Sequence, residues 1–163
     1  RLTRHQWVVG GDFSQFDGAT RTRLALMDSE GAVITPLSGS TDAQLNGVPL
    51  AMAALPTGEI VIAGEFTSAY NAGAGFVIRV NGDASQRSSF ANFAADANAT
   101  VRALAVQPDG KILIGGDFSQ VSGFSRPGIA RLNANGTLDT TFNALLNGGA
   151  VVRAIALQRD GKV

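Results

Sequence analysis

Few residues in this chain have the types and spacing that chemistry requires. His5 is the one histidine and cysteine is absent, so a transition-metal site built from imidazole and thiolate ligands is not expected. Serines are numerous, but Gly-x-Ser-x-Gly does not occur, and a serine triad would depend on His5 alone. The sequence therefore predicts no catalytic residues, no metal site and no cofactor, and the protein is not expected to be an enzyme.

The string Gly115-Gly116-Asp117-Phe118 invites comparison with a phosphate-binding loop. Such loops place Lys and then Ser or Thr directly after the last glycine, whereas here Asp117 follows. Calcium sites of the EF-hand type need a dense run of oxygen ligands, but acids such as Asp96 and Asp139 stand singly. The spacing therefore indicates neither a bound phosphate nor a bound calcium ion.

The charge balance excludes two further classes of partner. Lys plus Arg equals 13 and Asp plus Glu equals 13, so the chain lacks the basic surface with which proteins bind nucleic acid. The best apolar run, Val48 to Leu55, is too short to cross a bilayer and contains Pro49, so no membrane insertion is expected. Neither an initiating Met nor the apolar core of a signal peptide is present at the start, which favours an excised or mature piece of a longer protein.

A repeat of about 52 residues organises the whole chain. Its landmarks recur 51 to 53 residues apart: Phe13, Phe66 and Phe118; Leu37, Phe90 and Phe142; and Gly58, Gly110 and Gly161. Twenty glycines spread along the chain indicate many turns and therefore many short strands. Several landmarks held in one register over three copies indicate tandem structural units.

Each unit is predicted to contain four strands, best seen in the last full copy. The predicted strands are Val101 to Val106, Lys111 to Ile114, Ile129 to Leu132, and a more polar one from Thr137 to Phe142. The Asp109-Gly110 pair is a hairpin signal, because glycine accepts a positive φ without penalty. Gly115 and Gly116 predict either a close approach of two backbones or a β-bulge.

Four-stranded units of this period are typical of propeller blades. The predicted fold is therefore all-β, with three blades of a partial β-propeller in a single array. The units span about 4–56, 57–108 and 109–159, and a further unit starts at 160–163. A three-fold β-trefoil or β-prism, which commonly binds carbohydrate, is the alternative.

Three units are not expected to close alone into a conventional propeller, which needs about four to eight blades. The strand at Gln6 to Val9 has no first strand before it, and the first strand at Val152 to Leu157 has no second strand after it. Unpaired edges recruit strands. We therefore expect these edges to pair with further blades of the same parent chain or with another copy.

Two strings connect the chain to a known family. Val101 to Lys111 reads Val-Arg-Ala-Leu-Ala-Val-Gln-Pro-Asp-Gly-Lys, and nearly the same string recurs from Val152 to Lys162. With Gly-Gly-Asp-Phe-Ser at Gly115 and Ile-Ala-Arg-Leu-Asn at Ile129, the chain resembles the delta-60 repeat. That family is regarded as β-propeller-like and occurs in large bacterial proteins that are often secreted or surface-attached. The departures are Thr57-Gly58-Glu59 for Asp-Gly-Lys, Ala84 for the turn glycine, Leu26 for the strand-three arginine, and His5 for the turn glycine of the first copy.

The resemblance implies a non-enzymatic binding or structural repeat module in an extracellular or cell-surface bacterial protein. It brings no catalytic residues to carry over. The competing interpretations are a carbohydrate-binding three-fold β domain and a non-catalytic part of a larger extracellular enzyme.

Charged landmarks recur in the repeat and have two interpretations. An acid precedes the repeated phenylalanine at Asp12, Glu65 and Asp117, and an arginine recurs in strand three at Arg79 and Arg131. These residues could line a binding face, or they could form ion pairs within or between blades that fix the register. Residues repeated in every unit usually serve the unit, which favours ion pairs.

The loops before strand three are the best candidates for binding. They span 14–22, 67–74 and 119–128, lie at one phase of the repeat, and contain Phe16, Tyr70, Phe124 and Arg126. Variable loops on a rigid scaffold often carry binding sites, so a protein or glycan partner is expected here unless these are plain solvated connections. Phe66 and Phe118 are instead predicted to be buried between adjacent blades.

Overall fold

A computed structural model describes residues 6–34, 45–70, 72–82 and 96–163. His5, Leu37, Ala84 and Phe90 lie outside these residues. The regular elements of the described part are 14 short strands, and that part contains no helix long and apolar enough to cross a membrane. The all-β propeller architecture predicted from the repeat is confirmed.

The strands fall into three blades with the same internal order. The first blade contains β1 (Trp7–Gly10), β2 (Gln15–Phe16), β3 (Ala19–Thr20) and β4 (Leu24–Met27). The second contains β5 (Pro49–Ala54), β6 (Ile60–Gly64), β7 (Ser68–Ala69), β8 (Ala72–Gly73) and β9 (Val77–Val80). The third contains β10 (Val101–Val106), β11 (Ile112–Gly116), β12 (Gln120–Val121), β13 (Phe124–Ser125) and β14 (Ile129–Leu132).

Each blade is an antiparallel meander of strands that follow one another in the chain. The sheets are β5-β6-β9 and β10-β11-β14, and β1 pairs with β4 in the first blade. The predicted unit boundaries at 56/57 and 108/109 fall in the turns between paired strands. Each predicted unit therefore begins in the turn before the second strand of a sheet, and counting the blades from β5 and β10 instead leaves the repeat length unchanged.

The fourth strand of the blade is much shorter than the predicted stretch from Thr137 to Phe142. It consists of a single bridge, between Leu132 and Leu138 in the third blade and between Met27 and Val33 in the first. The chain turns away immediately afterwards, because the Asp139 carboxylate accepts hydrogen bonds from the backbone N–H and the hydroxyl of Thr141. These bonds stabilise a local turn in place of a continued ladder.

The candidate binding loops are small hairpins rather than irregular connections. β2 pairs with β3, β7 with β8, and β12 with β13. The first turn residues Asp17, Tyr70 and Ser122 have φ values of 49°, 50° and 50°, the left-handed conformation that tight two-residue hairpins require. Each blade therefore carries the same projection at the end of its second strand.

The predicted burial of Phe66 and Phe118 is confirmed, since their exposed fractions are 0% and 1%. Phe66 packs in one core with Leu24 and Leu26 of the first blade. Phe118 packs in a second core with Val61 and Val77 of the second blade. Each core is therefore shared between neighbouring blades, as expected for units that cannot bury their faces alone.

The predicted bulge and the predicted close approach of two backbones are both found at Gly116, whereas Gly115 faces side chains of the following segment. A Cβ on Gly116 would overlap the Thr100 carbonyl oxygen and lie 2.9 Å from the Val101 Cα, at the β-bulge where the β10–β11 register shifts. A Cβ on Gly115 would lie 2.7 Å from Cγ1 of Val152. Gly116 thus permits the bulge, and Gly115 permits the following segment to pack closely.

Candidate functional site

The acid before the repeated phenylalanine pairs with an arginine of the first strand. Arg102 donates from Nε to Asp117 Oδ1 at 2.8 Å and from Nη2 to Oδ2 at 2.6 Å. This pairing holds the pKa of Asp117 below its ordinary value and raises the pKa of Arg102. Arg102 was not among the predicted site residues, although the repeated Val-Arg-Ala string at Val101 and Val152 carries it.

The charges at this end of the blades alternate from one blade to the next. The negative charge of Glu65 in the preceding blade, in addition to that of Asp117, raises the pKa of Arg102. The positive charge of Arg153, in the segment that follows, adds to that of Arg102 in lowering the pKa of Asp117. The resulting order is Glu65, Arg102, Asp117, Arg153, which links adjacent units electrostatically.

The strand-three arginines do not pair with the acids before the phenylalanines, so these landmarks form separate ion pairs. Arg131 Nε contacts Asp139 Oδ2 at 3.0 Å, and its guanidinium carbon lies 4.8 Å from the centroid of the Phe142 ring. Arg79 Nη2 contacts Glu59 Oε2 at 3.1 Å. The pairs involving Arg131 and Arg79 lie within single blades.

Asp139 is the most strongly held carboxylate in the described part of the chain. The hydroxyl and N–H of Thr141, Lys111 Nζ at 3.1 Å and Arg131 all contact it. The Thr141 hydroxyl bond is the largest cause of a pKa far below the ordinary value, followed by the bond from Lys111. Asp139 is thus ionised, and its carboxylate joins Thr141, Lys111 and Arg131 at the edge of the blade.

The predicted binding residues at the hairpins have different environments. Tyr70 and Arg126 are buried, each 8% exposed, so they present little surface to a partner. Arg126 donates to the carbonyl oxygens of Ser125 at 2.7 Å and Thr140 at 3.2 Å, which ties the hairpin to the loop beyond the fourth strand. Both side chains therefore pack within the blade.

The two predicted phenylalanines at the hairpins also differ from each other. Phe16 is half-buried, and its ring centroid lies 5.4 Å from that of Phe13. Phe124 is 51% exposed. Of the four predicted binding residues, Phe124 is therefore the side chain that a partner could reach most readily.

An asparagine side chain, missed in the sequence, fixes the hairpin of the second blade and that of the third; we call this contact the asparagine clip. Asn98 Oδ1 accepts hydrogen bonds from the backbone N–H groups of Ser119 and Gln120 at 3.0 and 3.1 Å. Asn46 accepts equivalent bonds from Thr67 and Ser68 in the second blade. The 52-residue spacing of Asn46 and Asn98 is the signal that could have identified it. The asparagine bonds thereby hold these two hairpins on their blades.

A cleft lies at the opposite end of the blades, between the strand-one turns of the second and third blades. Its volume is about 460 Å³. Its lining comprises Leu55, Pro56, Thr57, Arg79, Pro108, Asp109, Gly110, Ala134 and Asn135. Prolines from successive turns contribute to its walls, and Arg79 crosses the blade boundary to donate from Nη1 to the Ala134 carbonyl oxygen at 2.6 Å.

The lining of the cleft is mainly apolar, with polar groups at its edges and base. Leu55 is 7% exposed and lies deep, whereas Asp109 and Asn135 are exposed. Arg79 is bound to Glu59, which also accepts from the Thr57 hydroxyl at 2.8 Å. Within the described ranges, no group of three or more His, Cys, Asp or Glu residues is placed to hold a metal ion. The cleft therefore suits an apolar or amphipathic group in contact with a few polar edges.

Comparison with known families agrees with this architecture. A family of β-propeller domains of unknown function, DUF5122, matches residues 6–33, 55–90 and 107–142. The chain belongs to the DUF5122 β-propeller family. The second and third segments matched by the DUF5122 profile begin at the turn before the second strand. Residues 143–163 follow the last matched segment. No curated protein and no solved structure matches the chain significantly.

Proposed function

We propose that this chain is a non-enzymatic binding module of a secreted or cell-surface protein and that the cleft between the second and third blades holds its ligand. The observation that carries the proposal is the cleft itself, about 460 Å³ in volume and formed only where two blades meet. Concave, largely apolar sites with a few polar groups are typical ligand sites. The ligand is a protein segment or a glycan.

The contrast between residues that repeat in the blades and residues that line the cleft supports this proposal. The repeated phenylalanines and the asparagine clips serve every blade in which they occur, whereas the cleft lining changes from copy to copy. Thr57 of the second blade corresponds to Asp109 of the third, and Pro108 corresponds to Arg159. Variable positions on a constant scaffold are where specificity usually resides.

The hairpin end supplies a second candidate surface. Phe124 is 51% exposed on a hairpin that the Asn98 clip holds in place. An exposed aromatic ring on a rigid projection suits contact with a protein or a sugar face. We rank this exposed ring below the cleft, because the cleft is a concave site between two blades.

The extracellular setting rests on the likeness to the delta-60 repeat, whose members are often secreted or surface-attached. The absence of enzyme activity is proposed because no nucleophile–base pair or metal cluster was found in the sequence. A hydrolase and transferase screen in which the 163-residue chain gives turnover that one loop substitution abolishes would overturn this part of the proposal.

A glycan array and a random peptide library presented to the immobilised chain test the binding function. Ala134→Arg fills the cleft from an exposed position, and Phe124→Ala alters the opposite end without filling the cleft. Ligands that bind the parent chain and Phe124→Ala but not Ala134→Arg support the cleft. Ligands that fail to bind only Phe124→Ala would assign the binding site to the hairpin end. If neither library yields a ligand that binds saturably, the proposed binding function is contradicted.

A further inference from the structure

An exposed negative charge stands at the edge of the cleft between the second and third blades. Asp109 lies in the turn before β11, lines the cleft and is exposed. Its Oδ1 accepts a hydrogen bond from the Lys111 N–H at 3.1 Å, which supports the turn. Its Oδ2 makes no hydrogen bond or ion pair with any residue in the described ranges. The turn therefore uses one carboxylate oxygen, and the charge remains open to a ligand.

The other charged residue of the lining, Arg79, is already neutralised. Its Nη2 contacts Glu59 Oε2 at 3.1 Å, and its Nη1 donates to the Ala134 carbonyl oxygen at 2.6 Å. The side chains of Arg79 and Glu59 are 10% and 15% exposed. Because these two opposite charges cancel within the blade, the negative charge of Asp109 sets the sign of the cleft.

The walls beside this charge are apolar. Leu55, Pro56, Pro108 and Ala134 contribute carbon surface to the lining. Leu55 is buried, whereas the two prolines are exposed at the rim. A lysine side chain packs its four-carbon stem along apolar surface and keeps its ammonium in water. An apolar slot with one carboxylate at its edge is complementary to that side chain in both respects.

We propose that the cleft binds a protein segment through one lysine side chain, with the stem against Pro56 and Pro108 and the ammonium on Asp109. This assignment rests on the binding function proposed above and names the partner of that site. An arginine pairs best when both oxygens of a carboxylate are open to its fork. At Asp109 the Lys111 N–H occupies Oδ1, so the site favours the ammonium, which is a compact point charge.

A glycan fits the same lining less well. The lining residues of the described cleft include no aromatic ring on which a sugar face could stack. Asn135 already uses its Oδ1 within its own turn, where it accepts from the N–H and the hydroxyl of Thr137 at 3.0 and 2.8 Å. Thr57 replaces the aspartate on the opposite wall. Asp109 is therefore the residue that determines which ligand the cleft selects.

The probe is a library of short peptides, each made in four forms that differ at one central position. That position carries lysine, ε-N-acetyl-lysine, arginine or glutamate. Acetylation keeps the stem and removes the charge, so it isolates the ion pair. The lysine form is expected to bind the 163-residue chain about three- to tenfold more tightly than the acetylated form, the range for a partly exposed charged hydrogen bond. This preference should shrink in 1 M salt, where the Debye length falls to about 3 Å.

Asp109→Asn is the decisive variant, because the amide oxygen can still accept the Lys111 N–H while the charge is lost. It is expected to bind the lysine and acetyl-lysine forms equally. Asp160→Asn is the matched control, since Asp160 Oδ1 accepts from the Lys162 N–H at 3.2 Å in the equivalent turn and does not line the cleft. That control should keep the full preference for lysine, and a loss in both variants contradicts the assigned contact.

The remaining outcomes separate this proposal from the binding function on which it rests. Peptides that Ala134→Arg excludes but that show no preference for lysine would overturn the lysine assignment and leave the cleft as a binding site. Tighter binding of the arginine or glutamate form would do the same, as would glycans that enter the cleft when no peptide does. If no peptide and no glycan binds saturably, both proposals are wrong.

Discussion

Phe66 and Phe118 occupy the same place in successive blades, and each completes a core that its blade shares with the preceding one. Phe66 meets leucines of the first blade, and Phe118 meets valines of the second. The stability of the array therefore depends on contacts between units as much as on contacts within them.

Replacing Phe118 with alanine is expected to destabilise the chain by about 3–5 kcal/mol, because the ring is fully buried and the blades cannot collapse around the cavity. Phe124→Ala is the matched control, since that ring is half exposed and its loss should change stability by less than about 1 kcal/mol. Urea unfolding followed by circular dichroism compares the two. Equal losses would contradict the assigned burial of Phe118.

Gly116→Ala is expected to destabilise the third blade by about 1–3 kcal/mol. The added Cβ would meet the backbone of Thr100 and Val101, which cannot move without opening the bulge. Gly148→Ala is the control, because no atom lies within 4 Å of the Cβ it adds. Thermal melts of both variants test this expectation, and a neutral Gly116→Ala would show that the bulge is not needed.

Asp139→Asn is expected to destabilise by about 1–3 kcal/mol near neutral pH, because Lys111 and Arg131 would lose a buried charged acceptor. The pKa of Asp139 is depressed in the folded protein. Its stabilisation is therefore complete above the ordinary carboxyl pKa and is lost as the pH falls through the folded value. The free energy of unfolding is measured at a series of pH values from 7 to 2. It should fall less over this range for Asp139→Asn than for the parent chain.

Asp160→Asn is the control for that measurement, because its partner Lys162 is exposed. Its pH profile should resemble the parent's closely. If Asp139→Asn and Asp160→Asn shift the profile equally, the carboxylate of Asp139 has no special place in the blade.

Arg102→Leu imitates the second blade, which carries Leu50 at the equivalent position. The pKa of Asp117 is held low by Arg102, so the substitution is expected to raise it toward the ordinary carboxyl value of about 3.9. An NMR titration of side-chain carboxyl carbons measures the change directly. Lys162→Leu should leave the Asp117 titration unchanged, and an unmoved Asp117 pKa in Arg102→Leu would refute the pairing.

The repeat made most of the fold predictable, because its landmarks reflect backbone and packing needs that recur in every unit. The glycine pair at Gly115 and Gly116 indicated both the bulge and the close approach, and the strands at Val101–Val106 and Ile129–Leu132 have the predicted limits. The fourth strand was overestimated, because alternation cannot reveal that Asp139 bonds to Thr141 and turns the chain.

Residue type alone did not indicate how exposed each binding candidate is. Tyr70 and Arg126 look like surface residues in a polar loop, yet the small hairpins fold back and bury them. The sequence also could not predict which residues the charged landmarks pair with. Either Arg102 or Arg131 could have paired with Asp117, and the sheet register decided between them. The cleft joins turns 52 residues apart, and only the packing of one blade on the next creates it.

The small residue beneath each incoming first strand bears on how such a chain can grow. Gly10, Ala63 and Gly115 stand at equivalent positions, and the contacts of Gly10 and Gly115 are of the same kind. A gene duplication of one whole unit would therefore create a junction that already fits on both sides. An insertion or deletion within the second strand itself would instead place a larger side chain, such as that of Ile114, under the incoming strand. Selection should then tolerate changes in the number of units, and length changes in the loops, far more readily than length changes within the second strand.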